Sequence, residues 1–249
     1  MNRELYFCDQ LNPNLQTAIF DTFESQHLIK ALRKGRGATI EFTDGAGNLY
    51  QGSIINTKPL VEVSYNILES ATASGTVRSV LAIGFIRHNR MDFMIEKCTE
   101  LGIDRFYLIS SKFSNYYTSG TSRWQKIMRQ AIKQSLRYAL PEIITCPSFT
   151  AFISETRHIN NKYLAEQEAD RLEPKIMEKK NIKNTENILF AIGPEGGFDE
   201  EEQHTALSEG FIPVSFGNHR LRTETAAISA AAYINLFRKT INNNEEVRK

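Results

Sequence analysis

The chain has 249 residues, of which 41% are hydrophobic and 24% charged, and its formal net charge is +1. This length suits one large or two modest domains. Because the charge is near neutral, any nucleic-acid site must depend on local clusters of Lys and Arg. Three cysteines without C-x-x-C spacing indicate a reducing compartment and no zinc or disulfide framework. No apolar run reaches membrane-spanning length and no signal region is present, so we expect a cytoplasmic protein without a membrane partner.

The first 70 residues favour a small β-barrel that contains one helix, near Ser25–Leu32. A glycine-rich stretch, Asp44–Asn48, is typical of a hairpin turn between two of the strands. The small, uncharged stretch Ser70–Thr76 is the best candidate for a linker. Strands are predicted at Leu5–Cys8, Ala38–Phe42, Tyr50–Ile55 and Leu60–Leu68.

After this linker the pattern alternates between buried-type strands and amphipathic helices, which favours a mainly parallel α/β sheet. Ligands of such sheets bind at the carboxyl ends of the strands. The predicted strands are Val80–Phe85, Phe106–Ile109, Ile143–Cys146, Tyr163–Ala165, Ile188–Ile192 and Val214–Phe216. The predicted helices are Met91–Leu101, Trp124–Leu136, Glu200–Glu209 and Thr225–Lys239. The charge-rich segment Glu166–Glu186 is expected to be a solvated loop or helix.

Two segments, Leu189–Phe198 and Ser215–Ala226, each lead from a strand through a glycine to a predicted helix start. The first has three glycines and a proline in five residues, and glycine lets backbone groups approach a ligand closely. The next helix opens with the carboxylates of Asp199–Glu202, which occupy its positive end and would repel a phosphate. The two standard phosphate-binding loops are absent. The segments therefore predict either a pocket for a neutral or cationic small molecule or only a tight turn.

A basic strip is predicted on the helix Trp124–Leu136, opposite its apolar side. The strip is either an ordinary solvated face or a contact surface for RNA phosphates. Its members are Arg123, Lys126, Arg129, Lys133 and Arg137.

Gly193–Gly197 and Leu221–Ala226 together resemble the signature of the RsmE-type 16S rRNA (uracil-N3)-methyltransferases, a family of the SPOUT class. The resemblance implies an α/β chain with a PUA-like RNA-binding β-barrel at residues 1–72. It also implies a SPOUT domain at residues 73–249, whose parallel sheet ends in a trefoil knot. The implied cofactor is S-adenosylmethionine, the implied partner is the small ribosomal subunit, and the implied assembly is a homodimer without a metal.

The resemblance also implies which residues form the site. Arg222 is the main candidate for stabilising a uracil anion or clamping a carboxylate, and Glu224 and Glu195 are candidates for the base that removes the N3 proton. Glu195 could instead only brace its loop. The expected cofactor-binding residues are Leu164, Ala165, Ile192, Gly193, Pro194, Glu195, Gly196, Gly197, Phe216, Gly217, Leu221, Arg222, Thr225 and Ala226.

The expected RNA contacts combine the basic strip with positions that match the family pattern. They are Arg3, Arg33, Arg87, Arg90, Arg129, Lys133, Gln134 and Arg137. The chain departs from that pattern at Asn218–Arg220, so His219 receives no role by resemblance. Lys133 stands where the family often has Glu. Two other functions stay open: methylation of another rRNA or tRNA nucleotide, and a non-catalytic role in ribosome assembly.

Overall fold

The computed structural model describes residues 3–70, 79–169 and 187–246, with the last helix described beyond residue 238 as backbone alone. The chain forms two compact units, one of residues 1–73 with 128–140 and one of residues 74–127 with 141–249. The predicted boundary at residue 72 and most of the predicted linker lie outside the described residues, as does most of Glu166–Glu186. Residues 128–140, which were predicted to lie in the domain of residues 73–249, pack with the first unit.

The first unit is built on a six-stranded sheet with the order β1-β4-β5-β6-β3-β2. All of its pairings are antiparallel except that of β1 with β4. Strands were predicted at β1, β4, β5 and β6, but not at β2 and β3, which are too short to show a pattern. The strands are β1 Leu5–Phe7, β2 Leu11–Asn12, β3 Thr17–Ile19, β4 Thr39–Thr43, β5 Leu49–Asn56 and β6 Glu62–Glu69.

The helical segment of this unit begins earlier than predicted. The Asp21 side chain accepts a hydrogen bond from the backbone N–H of Glu24 and so caps α1, Thr22–Gln26. A π-helical turn, His27–Ala31, continues the helix.

Residues 128–140 belong to the first unit because they are hydrogen-bonded to the β4–β5 turn. The Tyr138 carbonyl accepts bonds from the Thr43 hydroxyl at 2.6 Å and from the Gly47 N–H at 3.0 Å. The Leu140 N–H donates to the Gly45 carbonyl at 2.8 Å. Gly45 has φ +81°, and an added Cβ would lie 2.9 Å from the Phe7 ring. No local pattern predicts this docking, since its partners are about 95 residues apart.

Four aromatic rings form the centre of the core in the first unit. Phe42 is fully buried and stacks on Tyr50 with ring centroids 5.1 Å apart. Phe20 and Tyr65 meet the same ring edge-on at 5.3 and 5.7 Å. These pairings are favourable for aromatic quadrupoles, so Phe42 is the residue on which the core packing depends most.

Replacing Phe42 with alanine is expected to lower the free energy of unfolding by about 3–5 kcal/mol, because the substitution leaves a cavity in the core that the neighbouring aromatic side chains do not fill. The matched control is Phe23→Ala, since the Phe23 side chain is 63% exposed. That change is expected to cost less than about 1 kcal/mol. Urea unfolding followed by circular dichroism compares the two variants. Equal losses would contradict the assignment of Phe42 as the central core residue.

The second unit contains a six-stranded, fully parallel sheet with the order β12-β10-β11-β7-β8-β9. This confirms the predicted parallel α/β architecture. The strands are β7 Ser79–Gly84, β8 Arg105–Ile109, β9 Glu142–Cys146, β10 Asn161–Ala165, β11 Ile188–Ile192 and β12 Ile212–Val214. The helices of this unit are α2 His88–Glu100, α4 Phe149–Thr156, α5 Glu200–Ser208 and α6 Thr223–Glu246. The helix α3, Ser122–Ser135, begins in this unit, and its residues from 128 onward belong to the first unit. Of these helices, α4 was not predicted.

The strand order changes direction between β7 and β11, because β8 and β9 extend the sheet on one side and β10 and β12 on the other. Crevices at the carboxyl ends of strands on either side of such a switch are where open α/β sheets bind ligands. Gly84, which ends β7, lies against the loop that follows β11, and an added Cβ would stand 2.4 Å from Pro194 Cδ. The topology therefore brings the glycine-rich loop to the switch point.

The small-residue helix α6 packs against α2, β7 and β11 within this unit. Ala226, Ala227, Ala230 and Ala231 are all buried there. Small side chains let the helix approach the sheet closely, so these alanines have an intrachain packing role.

Candidate active site

A cavity of about 510 Å³ lies at the carboxyl ends of β10, β11 and β12. Its walls come from the chain that follows each of these strands and from the start of α6. The sequence predicted this edge of the sheet, because both glycine-containing segments follow strands. The lining residues are Ala165, Glu166, Gln167, Ile192, Gly193, Pro194, Glu195, Gly196, Gly197, Phe198, Gln203, Val214, Ser215, Phe216, His219, Arg220, Leu221, Arg222, Thr223 and Ala226.

The loop Gly193–Gly197 depends on its glycines for two different reasons. At Gly193 the backbone passes so close to its own continuation that an added Cβ would lie 2.6 Å from the Gly197 carbonyl carbon. Gly197 has φ +77°, a region that residues with a Cβ rarely adopt. Its N–H donates to the Pro194 carbonyl at 2.8 Å, which closes a tight turn. The loop is thus compact, and it presents backbone groups to the cavity.

The helix that follows this loop has its positive end already neutralised. Asp199 accepts a hydrogen bond from the Glu202 N–H at 2.7 Å, and Glu202 accepts one from the Asp199 N–H at 3.0 Å. This capping box confirms the predicted cap at Asp199. Lys112 pairs with Asp199 at 2.9 Å. The helix end is therefore not a phosphate site, in agreement with the sequence analysis.

The cap makes stability depend on pH in a defined direction. The backbone bond from Glu202, followed by the Lys112 ammonium, holds the pKa of Asp199 below its ordinary value of 3.8. The folded state therefore favours the charged form of Asp199. This carboxylate stabilises the fold fully above pH 3.8, and the stabilisation is lost as the pH falls through the lower pKa that Asp199 has in the folded protein.

We expect Asp199→Ala to lower the melting temperature by about 2 °C at neutral pH, because it removes both cap and charge. Asp199→Asn keeps a cap acceptor but no charge, so its smaller deficit should disappear as the pH is lowered below 3.8. Thermal melts of both variants across this pH range test the prediction. A deficit for Asp199→Asn that does not change with pH would contradict it.

The second motif segment forms the opposite wall of the cavity. The Ser215 hydroxyl donates to the Gly217 carbonyl at 2.8 Å, which folds the chain back after β12. The Thr223 hydroxyl donates to the Gly193 carbonyl at 3.0 Å and joins the two segments. The Arg222 side chain is exposed at the cavity wall, and within the described parts of the chain its guanidinium has no ion-pair or hydrogen-bond partner. It is thus available to a bound carboxylate or carbonyl oxygen.

Glu195, one of the two candidate bases, is held at both carboxylate oxygens. The Asn115 side-chain amide donates to one oxygen at 2.6 Å, and the Arg90 guanidinium contacts the other at 3.4 Å. The second candidate, Glu224, lies 3.7 Å from the same guanidinium and does not line the cavity. Its Oε2 atom is buried and has no hydrogen-bond partner among the described residues. Of the two carboxylates, only Glu195 faces the cavity.

The cavity is lined by all of the predicted cofactor residues except three. Leu164 is buried in the apolar core beside the sheet and does not line the cavity. Gly217 and Thr225 do not line the cavity, and Thr225 is exposed on α6. Glu166 and Gln167 also line the cavity but were not predicted as site residues. Both follow the end of β10, and because ligands of parallel sheets bind at the carboxyl ends of the strands, their position could have identified them. His219 and Arg220 also line the cavity, and both stand in the segment that departs from the family pattern.

Comparison with known proteins identifies the family. A family model described as an RNA methyltransferase domain matches residues 73–235. The chain belongs to this RNA methyltransferase family. Several curated relatives carry the name Ribosomal RNA small subunit methyltransferase E, which confirms the resemblance seen in the motifs. The Mesomycoplasma hyopneumoniae protein is 31% identical over 60% of this chain and 65% of its own length. The Synechocystis protein is 28% identical over 88% of this chain and 73% of its own length. The alignments thus span only about two thirds to three quarters of these relatives.

Solved structures share the architecture of this RNA methyltransferase family member over nearly its whole length. A crystal structure described as a probable rRNA-methyltransferase from Porphyromonas gingivalis superposes with a TM-score of 0.81 at 27% identity, covering 95% of this chain and 99% of the other. The Ribosomal RNA small subunit methyltransferase E of Neisseria gonorrhoeae, solved bound to S-adenosyl methionine, has a TM-score of 0.80 at 24% identity, with 95% and 98% coverage. The second likeness establishes the fold alone.

In this member of the RNA methyltransferase family, several of the predicted RNA contacts are engaged by carboxylates of their own unit. Arg129 pairs with Asp9 at 2.8 Å, and Lys133 forms an ion pair with Glu24. Arg3 pairs with Glu41 at 2.6 Å. The predicted basic strip is therefore not a row of free cations. The exposed members of the predicted set are Arg33, Arg87 and Gln134, while Arg90 and Arg137 are partly buried.

Two kinds of feature are absent from the described residues. No group of three or more His, Cys, Asp or Glu side chains has an arrangement that could hold a metal ion. None of the described helices is long and apolar enough to cross a membrane.

Proposed function

We propose that this chain transfers a methyl group from S-adenosylmethionine to N3 of a uridine in 16S ribosomal RNA. The observation that carries the proposal is the single cavity formed by both motif segments, with the exposed Arg222 in its wall. Membership of the RNA methyltransferase family supports the reaction class. The names of the relatives, which specify the small-subunit ribosomal RNA, support the substrate.

The lining of the cavity fits S-adenosylmethionine better than a phosphate-bearing cofactor. Ile192, Pro194 and Phe216 offer apolar surface to a ring system, and the loop Gly193–Gly197 offers backbone hydrogen-bonding groups. Arg222 is free to pair with a carboxylate. The Asp199–Glu202 capping box leaves no free helix end for a phosphate. S-adenosylmethionine, when bound, supplies a methyl group on a sulfonium with an excellent leaving group.

The remaining task for the protein is the N3 proton, because neutral uracil is a poor nucleophile at this atom. Arg222 can donate hydrogen bonds to a uracil oxygen and stabilise the anion that forms when the proton leaves. Glu195 faces the cavity, and each of its oxygens can accept a further hydrogen bond beside the one it has. We therefore assign the base to Glu195. Glu224 lies outside the cavity lining and affects the site only through its ion pair with Arg90.

Three further features belong to this proposal. The first unit, residues 1–73 with 128–140 and its six-stranded curled sheet, is a PUA-like RNA-binding module, and the second unit, residues 74–127 with 141–249, is a SPOUT domain. The knot that the resemblance implies belongs to this proposal, and the two motif segments that would form it are joined by the bond from Thr223 to Gly193. The homodimer that the resemblance implies is also part of this proposal. A ribosomal RNA substrate would place this protein in the cytoplasm.

The test is methyl transfer from labelled S-adenosylmethionine to 30S subunits that lack the modification, followed by mass mapping of the modified nucleoside. We expect 3-methyluridine at one position in 16S RNA, and no label in 50S subunits or tRNA. Label in one of those other RNAs would redirect the substrate to another nucleotide. Cofactor binding without any transfer would replace the enzyme by a non-catalytic ribosome-assembly factor.

A further inference from the structure

We propose that Arg90 and Asn115 are positioning residues that hold Glu195, and with it the loop Gly193–Gly197, in its cofactor-binding shape. Arg90 then has a structural task inside the site and does not contact RNA. This inference rests on the proposed function, because it assigns the loop to S-adenosylmethionine.

Asn115 and Arg90 hold Glu195 from two different elements of the second unit. Asn115 lies in the chain between β8 and α3, and its backbone N–H donates to the Phe85 carbonyl at 3.2 Å. Arg90 lies in the first turn of α2. Their contacts to opposite oxygens of one carboxylate, at 2.6 and 3.4 Å, restrain both its position and its rotation. The Glu195 side chain is thus tied to α2 through Arg90 and to the residue that follows β7 through Asn115.

Arg90 also offsets the electrostatic repulsion between two carboxylates. Its Nη1 lies 3.4 Å from Glu195, and its Nε lies 3.7 Å from Glu224. The Glu224 side chain is only 12% exposed, so water screens it poorly. Without the guanidinium, two acidic groups would face the same space with no cation between them, and like charges at such a site repel. Loss of Arg90 is therefore expected to disturb the loop more than loss of Asn115.

The loop needs such support because it contains three glycines, which leave the free backbone many accessible states. Other contacts restrain its main chain: the Thr223 hydroxyl bonds the Gly193 carbonyl, and Arg220 reaches the Glu195 carbonyl at 3.4 Å. Only Arg90 and Asn115 hold the Glu195 side chain among the described residues. A loop ordered before binding loses less entropy when the ligand arrives, which raises affinity.

The same contacts argue against Arg90 as an RNA contact. Its charge is shared by two carboxylates, so a phosphate would have to displace them. An arginine that contacts a phosphate contributes about one unit to the salt dependence of RNA binding. A positioning residue instead changes the affinity for S-adenosylmethionine when no RNA is present.

The experiment measures the dissociation constant of S-adenosylmethionine by calorimetry on the full chain without RNA. We expect Asn115→Ala to raise it about tenfold, which corresponds to one lost charge-assisted hydrogen bond. Arg90→Gln should raise it about thirtyfold or more, and Arg90→Lys should restore part of the affinity. The matched controls are Ser119→Ala, in the same loop as Asn115, and Asn89→Ala, beside Arg90 on α2, both exposed. Both controls should bind like the unaltered protein.

A double-mutant cycle separates positioning from general damage. If Asn115 acts through Glu195, then Asn115→Ala should have little further effect in a Glu195→Ala background. Equal effects in both backgrounds would overturn the proposal. So would unchanged cofactor affinity in folded Arg90→Gln together with a shallower salt dependence of RNA binding, because that result would make Arg90 an RNA contact. If the unaltered chain fails to bind S-adenosylmethionine, the proposed function itself fails, and this inference fails with it.

Discussion

Replacing Gly193 with alanine is expected to abolish measurable binding of S-adenosylmethionine, with at least a hundredfold rise in its dissociation constant. The added Cβ would stand 2.6 Å from the Gly197 carbonyl carbon, 2.8 Å from its Cα and 2.8 Å from the Phe198 nitrogen. All three neighbours are backbone atoms, so no flexible side chain can move aside. The turn must open, and it forms one wall of the cavity. The overpacking is also expected to cost about 1–3 kcal/mol of stability.

Two other glycines provide matched controls for this prediction. An added Cβ at Gly197 meets nothing within 4 Å, but the residue has φ +77°, so alanine there is strained without a clash. We expect Gly197→Ala to cost about 1–2 kcal/mol of stability and to weaken binding less than Gly193→Ala. Gly35→Ala, which has open space and no positive φ, should change neither quantity. Calorimetric titration and thermal melts of the three variants give the ranking. Normal binding by folded Gly193→Ala would show that the loop does not form the cofactor site.

Arg222→Ala is expected to reduce the single-turnover rate of methyl transfer to 30S subunits by about a hundredfold to a thousandfold, because it removes the main donor available to a uracil anion. The variant should fold normally, since the exposed guanidinium has no partner in the described parts of the chain. Arg222→Lys keeps the charge but loses the two-pronged donor geometry, so it should recover only part of the rate.

A measurement of cofactor affinity distinguishes the two tasks that Arg222 could have. If it pairs with the cofactor carboxylate, the dissociation constant of S-adenosylmethionine rises and saturating cofactor restores much of the rate. If it stabilises the uracil anion, the affinity stays constant while the rate falls. The control is Arg157→Ala, another exposed arginine of the same unit, which pairs with Glu209 at 3.1 Å away from the cavity. A rate within threefold of the unaltered protein for Arg222→Ala would remove Arg222 from the mechanism.

Local sequence determined much of the fold, because the strands and helices of the second unit follow from patterns within ten or fifteen residues. The strands β7 to β12 and the helices α2, α3, α5 and α6 were predicted near their observed bounds. The cap at Asp199 was also predictable, since an N-cap and its partner are three residues apart. The two glycine-containing segments marked the cavity for the same reason, because each turn is specified by its own residues.

The tertiary structure alone decided which side chains meet. Arg90 was expected to contact RNA, but its partners Glu195 and Glu224 are more than 100 residues away in sequence. Asn115 has no local signal, and its bond to Glu195 depends on the loop between β8 and α3. Residues 128–140 were predicted to belong to the second domain, yet their backbone is hydrogen-bonded to the β4–β5 turn of the first unit. Periodicity and turn chemistry describe neighbours along the chain, whereas strand order and ion pairing depend on contacts that form only after the sheet has assembled. The sequence thus determined where the cavity would open, and the tertiary structure decided which charges surround it.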